Sequence, residues 1–367
     1  MAYEAYEVWL TTDYGKRIAL LTSFLELQYT LITNDVGQCS IVLPSTFDTS
    51  LLVKDYTIQI WRAPLGTSKM SLQQLYILDY WDYAVSNGSL TIVVRASSVK
   101  CLLERRVVAQ YSGTSGAAKL DYADDMQREL VNENIIGPID TDRTMDFIII
   151  ESTEQSAGPI LQLRMSYKNL LAVLKEISEA SRAAETEVFF DLHPTATSAA
   201  FTCEFRTKTG QPGSDVTDLG VLFSEEMGNL EEAFLEFDWR KEKNVVYAMG
   251  QGSGVAQDIQ EVEDTVRSGA SRYARNEGTV SAGSQQEPDE VTAVGQTALD
   301  LGRPFRRFGG KLKDTRGSRY GVDWWFGDKV TARFLEQEFD AIVRSVGIRV
   351  TADGKEEIDA RAEYEGD

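Results

Sequence analysis

The chain contains a single histidine, His193, beside Pro194 at the end of a strand-like run. A serine or cysteine nucleophile needs a base to take its proton, so any imidazole-dependent mechanism would have to run through this residue. No G-x-S-x-G elbow accompanies it, and its setting is that of a surface turn. The three cysteines, Cys39, Cys101 and Cys203, are odd in number and lie far apart in apolar contexts ("GQCSIVLP", "SVKCLLE", "FTCEF"). Buried single thiols fit that pattern, whereas a zinc site needs several soft ligands close together. The "GQGSG" at 250–254 superficially matches a phosphate-cradling loop. Such a loop needs a helix to begin at once, and "VAQDIQEVEDTV" alternates like a strand instead. Adjacent Glu225/Glu226 and Glu231/Glu232 could be drafted as a glycosidase pair, but that chemistry needs two carboxylates held apart across a cleft. With 57 Asp and Glu in the chain, neighbouring acids are expected as solvated surface. EF-hand spacing does not occur. No catalytic, cofactor-binding or metal-binding residue is assigned and no cofactor is implied, so the chain is not read as an enzyme.

One stretch stands out for its composition: "RGSRYGVDWWFGDKV", residues 316–330. It sets Tyr320, Trp324, Trp325 and Phe326 between Gly317, Gly321 and Gly327, then continues through Asp328 and Val330 into an apolar run. Three glycines mark a tight connection, and aromatics this large need an ordered place. The expectation is a structural turn feeding a strand, "DKVTARFL".

The elements that position these residues follow from pattern. At 367 residues the chain exceeds one domain of ~150 residues, and 43% hydrophobic content can build real cores. The formal charge of −20 repels DNA and anionic membranes over about 8 to 10 Å at ordinary salt, which disfavours nucleic-acid gripping. "MAYEAYEVWL" has no basic start or long apolar stretch, so no signal peptide is expected. No run approaches ~20 apolar residues, so no membrane insertion is expected. Synthesis and folding in a reducing cytoplasm follow as an expectation.

Residues 1–100 alternate at period two in six segments: "YEVWL", "FLELQYTLI", "CSIVLP", "TIQIWRA", "LYILDYWDY" and "LTIVVRAS". The Asn-Gly of "VSNGS" signals a tight hairpin. Residues 101–197 read as an α+β insertion with two helices, "AAKLDYADDMQRELVNENI" and "YKNLLAVLKEISEASRAA". Ser166 is the candidate cap of the second, and Leu170, Val173, Leu174, Ile177 and Ala180 form its apolar face. Residues 198–367 return to strands, among them "AFLEFDW", where Ala233, Leu235, Phe237 and Trp239 share a face. A polar region around 255–287 is expected as an exposed loop or arm. A helix at 288–301 starts at Pro288, with Val291, Val294, Ala298 and Leu301 on one side. "TADGK" marks a last hairpin.

Several stretches resemble the tail-tip (baseplate) hub proteins of siphophages, of the kind common in phages of actinobacteria. They are "LQYTLITNDVGQCSIVLPS" (27–45), "YTIQIWRA" (56–63), "LLERRVVA" (102–109), "KNLLAVLKEISEASRAA" (168–184), "VVYAMGQGSG" (245–254), "ALDLGRP" (298–304) and "DTRGSRYGVDWWFGDKVTA" (314–332). Order and approximate spacing are kept over nearly the whole chain, with 255–287 matching least. In that family a W-x-x-GD-x-V element leads into a strand of a tube-like domain, and Trp324, Gly327, Asp328 and Val330 stand at those positions.

The resemblance implies an α+β, β-rich fold with two tail-tube-like β-barrel or sandwich domains around the helical insertion. The aromatics of 316–330 would plug one barrel end. It implies a homotrimer whose ring continues the tail tube at the virion's tail tip. Its partners would be the distal tail protein, the tape measure protein and tip fibre or receptor-binding proteins, with genome DNA in transit only. An acidic lumen would let DNA slide. Relatives often carry a further fibre or wall-degrading enzyme, and ending at Asp367 suggests that those roles belong to other proteins. Two other readings compete: a carbohydrate-binding tip module using Trp324 and Trp325, and a cell-wall hydrolase.

Overall fold

A computed structural model describes the chain except for residues 1–4, 65–68, 87, 110–117, 152–154, 166, 284–287 and 367. Asn87 of the expected tight turn and the candidate cap Ser166 therefore lie outside the described residues. The first zone holds β1 (Ala5–Thr11), β2 (Arg17–Leu20), β3 (Glu26–Ile32), β4 (Gln38–Pro44), β5 (Thr57–Ala63), β6 (Ser71–Ser86) and β7 (Ser89–Ser98). All six predicted segments are strands, joined by the short β2; burial alternates in β3 and β4, whereas β5 is buried on nearly every residue. Leu27, Tyr29 and Leu31 of β3 and Cys39, Ile41 and Leu43 of β4 all enter the core, as a period of two requires.

The insertion comprises α1 (Cys101–Glu104), β8 (Ala118–Tyr122), α2 (Ala123–Val131), β9 (Ile148–Ile150), β10 (Ile160–Arg164), α3 (Leu170–Ala183), β11 (Val188–Ala196) and β12 (Phe201–Thr209). The expected first helix is half strand: residues 118–122 pair antiparallel with β10, and tertiary pairing overrides helical preference there. In α3 the five predicted apolar residues are buried, and Asn169 is the cap, its side chain accepting from the Ala172 N–H at 3.2 Å. The β11–β12 hairpin straddles the expected boundary at 197/198. Both its strands pack with the helices through Val188, Phe190, Leu192, Cys203 and Phe205, so the cut falls inside one structural unit.

The remaining chain forms β13 (Leu222–Ser224), β14 (Leu230–Asp238), β15 (Val245–Met249), β16 (Ile259–Glu263), α4 (Thr265–Ser268), β17 (Glu277–Ser281), α5 (Pro288–Leu301), β18 (Phe305–Leu312), β19 (Lys329–Phe334), β20 (Gln337–Thr351) and β21 (Glu356–Gly366). The stretch expected as an arm is built instead into a small sheet of order β16-β15-β17, its edge strands polar and alternately exposed. Helix α5 covers that sheet through Val291, but its inward face is rotated from the predicted one: Leu299 is buried and Leu301 is half exposed. On β14, Ala233 and Leu235 pack on the core, whereas Phe237 and Trp239 leave it and stack on each other at 5.9 Å.

The main sheet has the order β14-β18-β21-β20-β3-β4-β7-β6-β5-β1-β2, with β19 on β20 and β13 on β19. Among the described residues no strand pairing closes either zone into a barrel. The fold is α+β and β-rich, but the two expected barrels are parts of one sheet. Strand β20 is the reason: at fifteen residues it pairs first with β19 and then, along the same edge, with β3. Its register sets Val346 opposite Leu31, Ile348 opposite Tyr29 and Val350 opposite Leu27, so core residues of both zones share one face. Replacing buried Ile348 with Ala is expected to cost about 2 to 5 kcal/mol. Urea unfolding should show near-UV and far-UV transitions moving down together; a zone left at its original midpoint would show two independent cores.

Candidate functional site

The aromatic turn at 316–330 is ordered, and glycine geometry explains its path. Gly317, Gly321 and Gly327 have φ of +99°, +81° and +85°, a region L-residues seldom adopt. Gly321 also has no room to spare, since a Cβ there would lie 2.4 Å from the Arg62 guanidinium. Trp324 is wholly buried, its Nε1–H donating to the Ser318 carbonyl at 3.0 Å and its ring set edge-on to Phe223. Tyr320 and Val330 are buried beside it, and Phe326 packs on the same core. With no closed barrel to plug, these rings fill the core between the turn and β13. Trp325 points away and remains 38% exposed. The structure thus rules out Trp324 as a platform for sugars and leaves Trp325 available.

Asp328 is a knot rather than a reactive acid. Its Oδ1 accepts from the Ser214 N–H and its Oδ2 from the Trp325 N–H, both at 2.8 Å. The adjoining backbone repeats the link: Gly213 N–H donates to the Gly327 carbonyl and Lys329 N–H to the Ser214 carbonyl. Burial raises the carboxyl's pKa, opposed by those two donors, so the side chain ties residues 212–216 to the start of β19.

Tyr320 leads to a feature that spacing in the sequence does not signal. The Arg62 guanidinium, fully buried, lies 5.1 Å from the Tyr320 ring and forms a two-pronged ion pair with Glu356 at 2.7 and 2.9 Å. Tyr6 donates its hydroxyl to Glu356 and accepts from Arg62 Nε at 3.1 Å. Burial opposes the charge on Arg62, but the hydrogen bond to Glu356 together with the electrostatic pull of Tyr6, Glu356 and Tyr29 raises its pKa above the ordinary value. Burial and the Glu356 charge push the Tyr6 phenol well above its ordinary value. The arrangement is a charge-balanced network in which Arg62, Glu356 and Tyr6 satisfy one another.

The remaining flagged residues stay apart. His193 is exposed and lies within β11 rather than in a turn; Pro194 is tolerated because β11 is the edge of its sheet. Burial, then the neighbouring Arg206, lowers the imidazole's pKa. Cys39, Cys101 and Cys203 are free and buried, with desolvation raising Cys101 to about 11 and Cys203 to about 12. "GQGSG" leads through a short turn into β16, the expected strand. Glu225 and Glu226 are exposed, while Glu231 pairs with Lys313 and Glu232 lies 3.8 Å from Arg361. Among the described residues no cluster of His, Cys, Asp or Glu could hold a metal, and no helix is long and apolar enough to cross a membrane.

Two surface features complete the geometry. Beyond Leu78, β6 pairs with β7 alone, leaving an open edge that displays Tyr80, Tyr83 and Val85. At the far end of the sheet β14 pairs only with β18, and Phe234, Phe237 and Trp239 are exposed there. Between these edges the solvent face carries cross-strand ion pairs: Arg349–Glu26 at 2.6 Å, Lys311–Asp359 at 3.1 Å and Arg307–Glu236 at 3.0 Å. Charges of both signs alternate on this face, so the acidic excess is not concentrated there.

Replacing Glu356 with Gln should cost about 3 to 5 kcal/mol by stranding the Arg62 charge. The double replacement Arg62→Met with Glu356→Leu should recover most of that loss in a denaturant titration. If the two changes were simply additive, the network would not be the coupled unit described.

The family model for the siphovirus ReqiPepy6 Gp37-like protein matches residues 6–362. No curated protein matches the chain. Among solved structures, a tail protein from Neisseria meningitidis MC58 is similar at a TM-score of 0.55 and 11% identity, over 98% of this chain and 97% of that one. The 43 kDa tail protein of prophage MuSo2 from Shewanella oneidensis is similar at 0.55 and 12%, over 97% and 98%. At such identity the likeness is one of fold, and it runs over nearly the whole of both chains.

Proposed function

The chain belongs to the siphovirus ReqiPepy6 Gp37-like protein family, and from that premise we propose that it is the structural hub of a long-tailed phage's tail tip. As a phage tail protein it is a component of the virion. Our reading is that three copies form a ring that continues or closes the tail tube. That ring would join the distal tail protein, the tape measure protein and the tip fibres, and pass the genome through its centre.

The observation that carries this reading is the pair of open sheet edges. The terminal strand β14 and the stretch of β6 beyond Leu78 both leave an edge open and carry exposed aromatics, an invitation to uncontrolled pairing unless something covers them. Setting the β6 edge of one copy against the β14 edge of the next is a head-to-tail contact, and such contacts make a ring when the rotation closes. Within that ring the ion-paired face between the edges would turn toward the lumen. Its mixed signs give DNA few unpaired cations to hold it, which serves passage without requiring the strongly acidic lumen expected from net charge. No catalytic step belongs to this proposal.

Mass photometry of the purified chain, alone and with tail-tube protein as template, tests it. The expected result is a trimer in at least one condition, lost on Tyr83→Lys or Phe237→Lys while circular dichroism of the single chain is unchanged. Trimers that persist in both variants would place the contact elsewhere, and a monomer under every condition would overturn the ring.

A further inference from the structure

A cleft of about 420 Å³ opens where the aromatic turn faces the β11–β12 hairpin, a size suited to a small ligand. We infer that this cleft binds an acidic sugar, a saccharide ring carrying one carboxylate. The inference goes beyond the ring proposal and does not depend on it, because every group it uses lies within one chain.

Three features of the lining select that chemistry. Trp325, 38% exposed, supplies a flat apolar face of the kind on which the C–H side of a sugar ring stacks, with Phe326 beside it in the lining. Across from them Gln73, Asp191 and His193 supply hydrogen-bonding groups. His193 adds an imidazole to the lining, and its ring nitrogens can pair with a sugar hydroxyl.

The third feature is charge. In a chain of net charge −20 this cleft is lined by Lys100, Arg206 and Lys208 against the single carboxylate of Asp191. Lys100 is 2% exposed, donates to the Ile32 carbonyl and lies 3.4 Å from Asp191, so these two neutralise each other at the floor. Arg206 and Lys208 remain at the mouth with side chains 37% and 47% exposed. Their carboxylate neighbours, Glu204 at 2.6 Å and Glu151 at 3.9 Å, stand outside the lining. Glu204 Oε2 already takes the Nε and Nη2 edge of Arg206, at 2.6 and 2.5 Å, so an incoming carboxylate would add at the Nη1 side and at the Lys208 ammonium, without displacing a buried pair. Nucleic acid, the other common anionic ligand with flat rings, is disfavoured by the repulsion of the whole acidic surface.

The test uses the full chain and two monosaccharide probes, N-acetylmuramic acid and N-acetylglucosamine, which differ by a carboxylate-bearing ether. Binding is followed by tryptophan fluorescence and by saturation-transfer NMR. The acidic sugar should bind roughly tenfold or more tightly than the neutral one, the worth of one charge-assisted contact. The preference should vanish in the double variant Arg206→Gln/Lys208→Gln, and Trp325→Ala should abolish binding of both sugars. Because Trp325→Ala could disturb the turn, the double variant, which alters only half-exposed side chains, decides the question if the first unfolds. Equal affinity for the two sugars, binding unchanged in the double variant, or no binding up to the solubility limit of the acidic sugar would each overturn the inference.

Discussion

The buried ion pair of Arg62 and Glu356 is the constraint on which the architecture turns. Arg62 lies on β5 and Glu356 on β21, and in the main sheet five strands separate them. Their side chains nonetheless meet inside the protein, so the sheet folds over until its two wings face each other. Backbone pairing leaves the structure open, and side chains close it. A guanidinium removed from water costs several kcal/mol unless its partner is well placed, which makes this closure selective: only a fold that brings Glu356 and the Tyr6 hydroxyl to Arg62 escapes the penalty. Tyr320 then lies against the guanidinium, and through it the position of the aromatic turn depends on the same pair.

From that anchor the other parts follow. One hydrophobic cluster draws on both wings, from Val8 and Leu10 to Ala360 and Ala362, and the buried Trp324 fills its end near β13. The insertion has a cluster of its own, joined to the sheet through Leu75, Ile77 and Val99. Charged contacts reinforce the seam, chiefly Arg344, whose two terminal nitrogens each lie 2.7 Å from a Glu187 oxygen. In the ring proposed above, closure would depend on presenting the β6 and β14 edges at a fixed angle, which the folded-over sheet would set.

Much of this was legible in the sequence where local pattern and tertiary context agree. Strands β3, β4 and β7 alternate cleanly because one face is core and the other solvent, and the stripe on α3 survives because the helix lies on a single apolar surface. Legibility failed where partners distant in sequence decide the outcome. Residues 118–122 are a strand because β10 pairs with them, and 259–281 becomes two strands because β15 lies between. The one-sheet architecture hinges on β20 meeting β3, more than 300 residues apart, which no local period records. At the candidate site, glycines and aromatics announced an ordered turn, and Asp328 announced itself by its place in the motif. Arg62 and Glu356 gave no sign, since a lone Arg in "TIQIWRA" and a Glu in "EEIDARAEY" look like ordinary strand charges. Nor does −20 say where charge sits, and the ion-paired sheet face shows how far the local balance departs from it.

The most direct measurement of the central claim is electron microscopy of intact phage particles labelled with an antibody raised against this chain. The account predicts label confined to the distal end of the tail, with threefold order in the averaged tip. Label along the shaft or on the capsid, or a tip that averages with no threefold order, would contradict it.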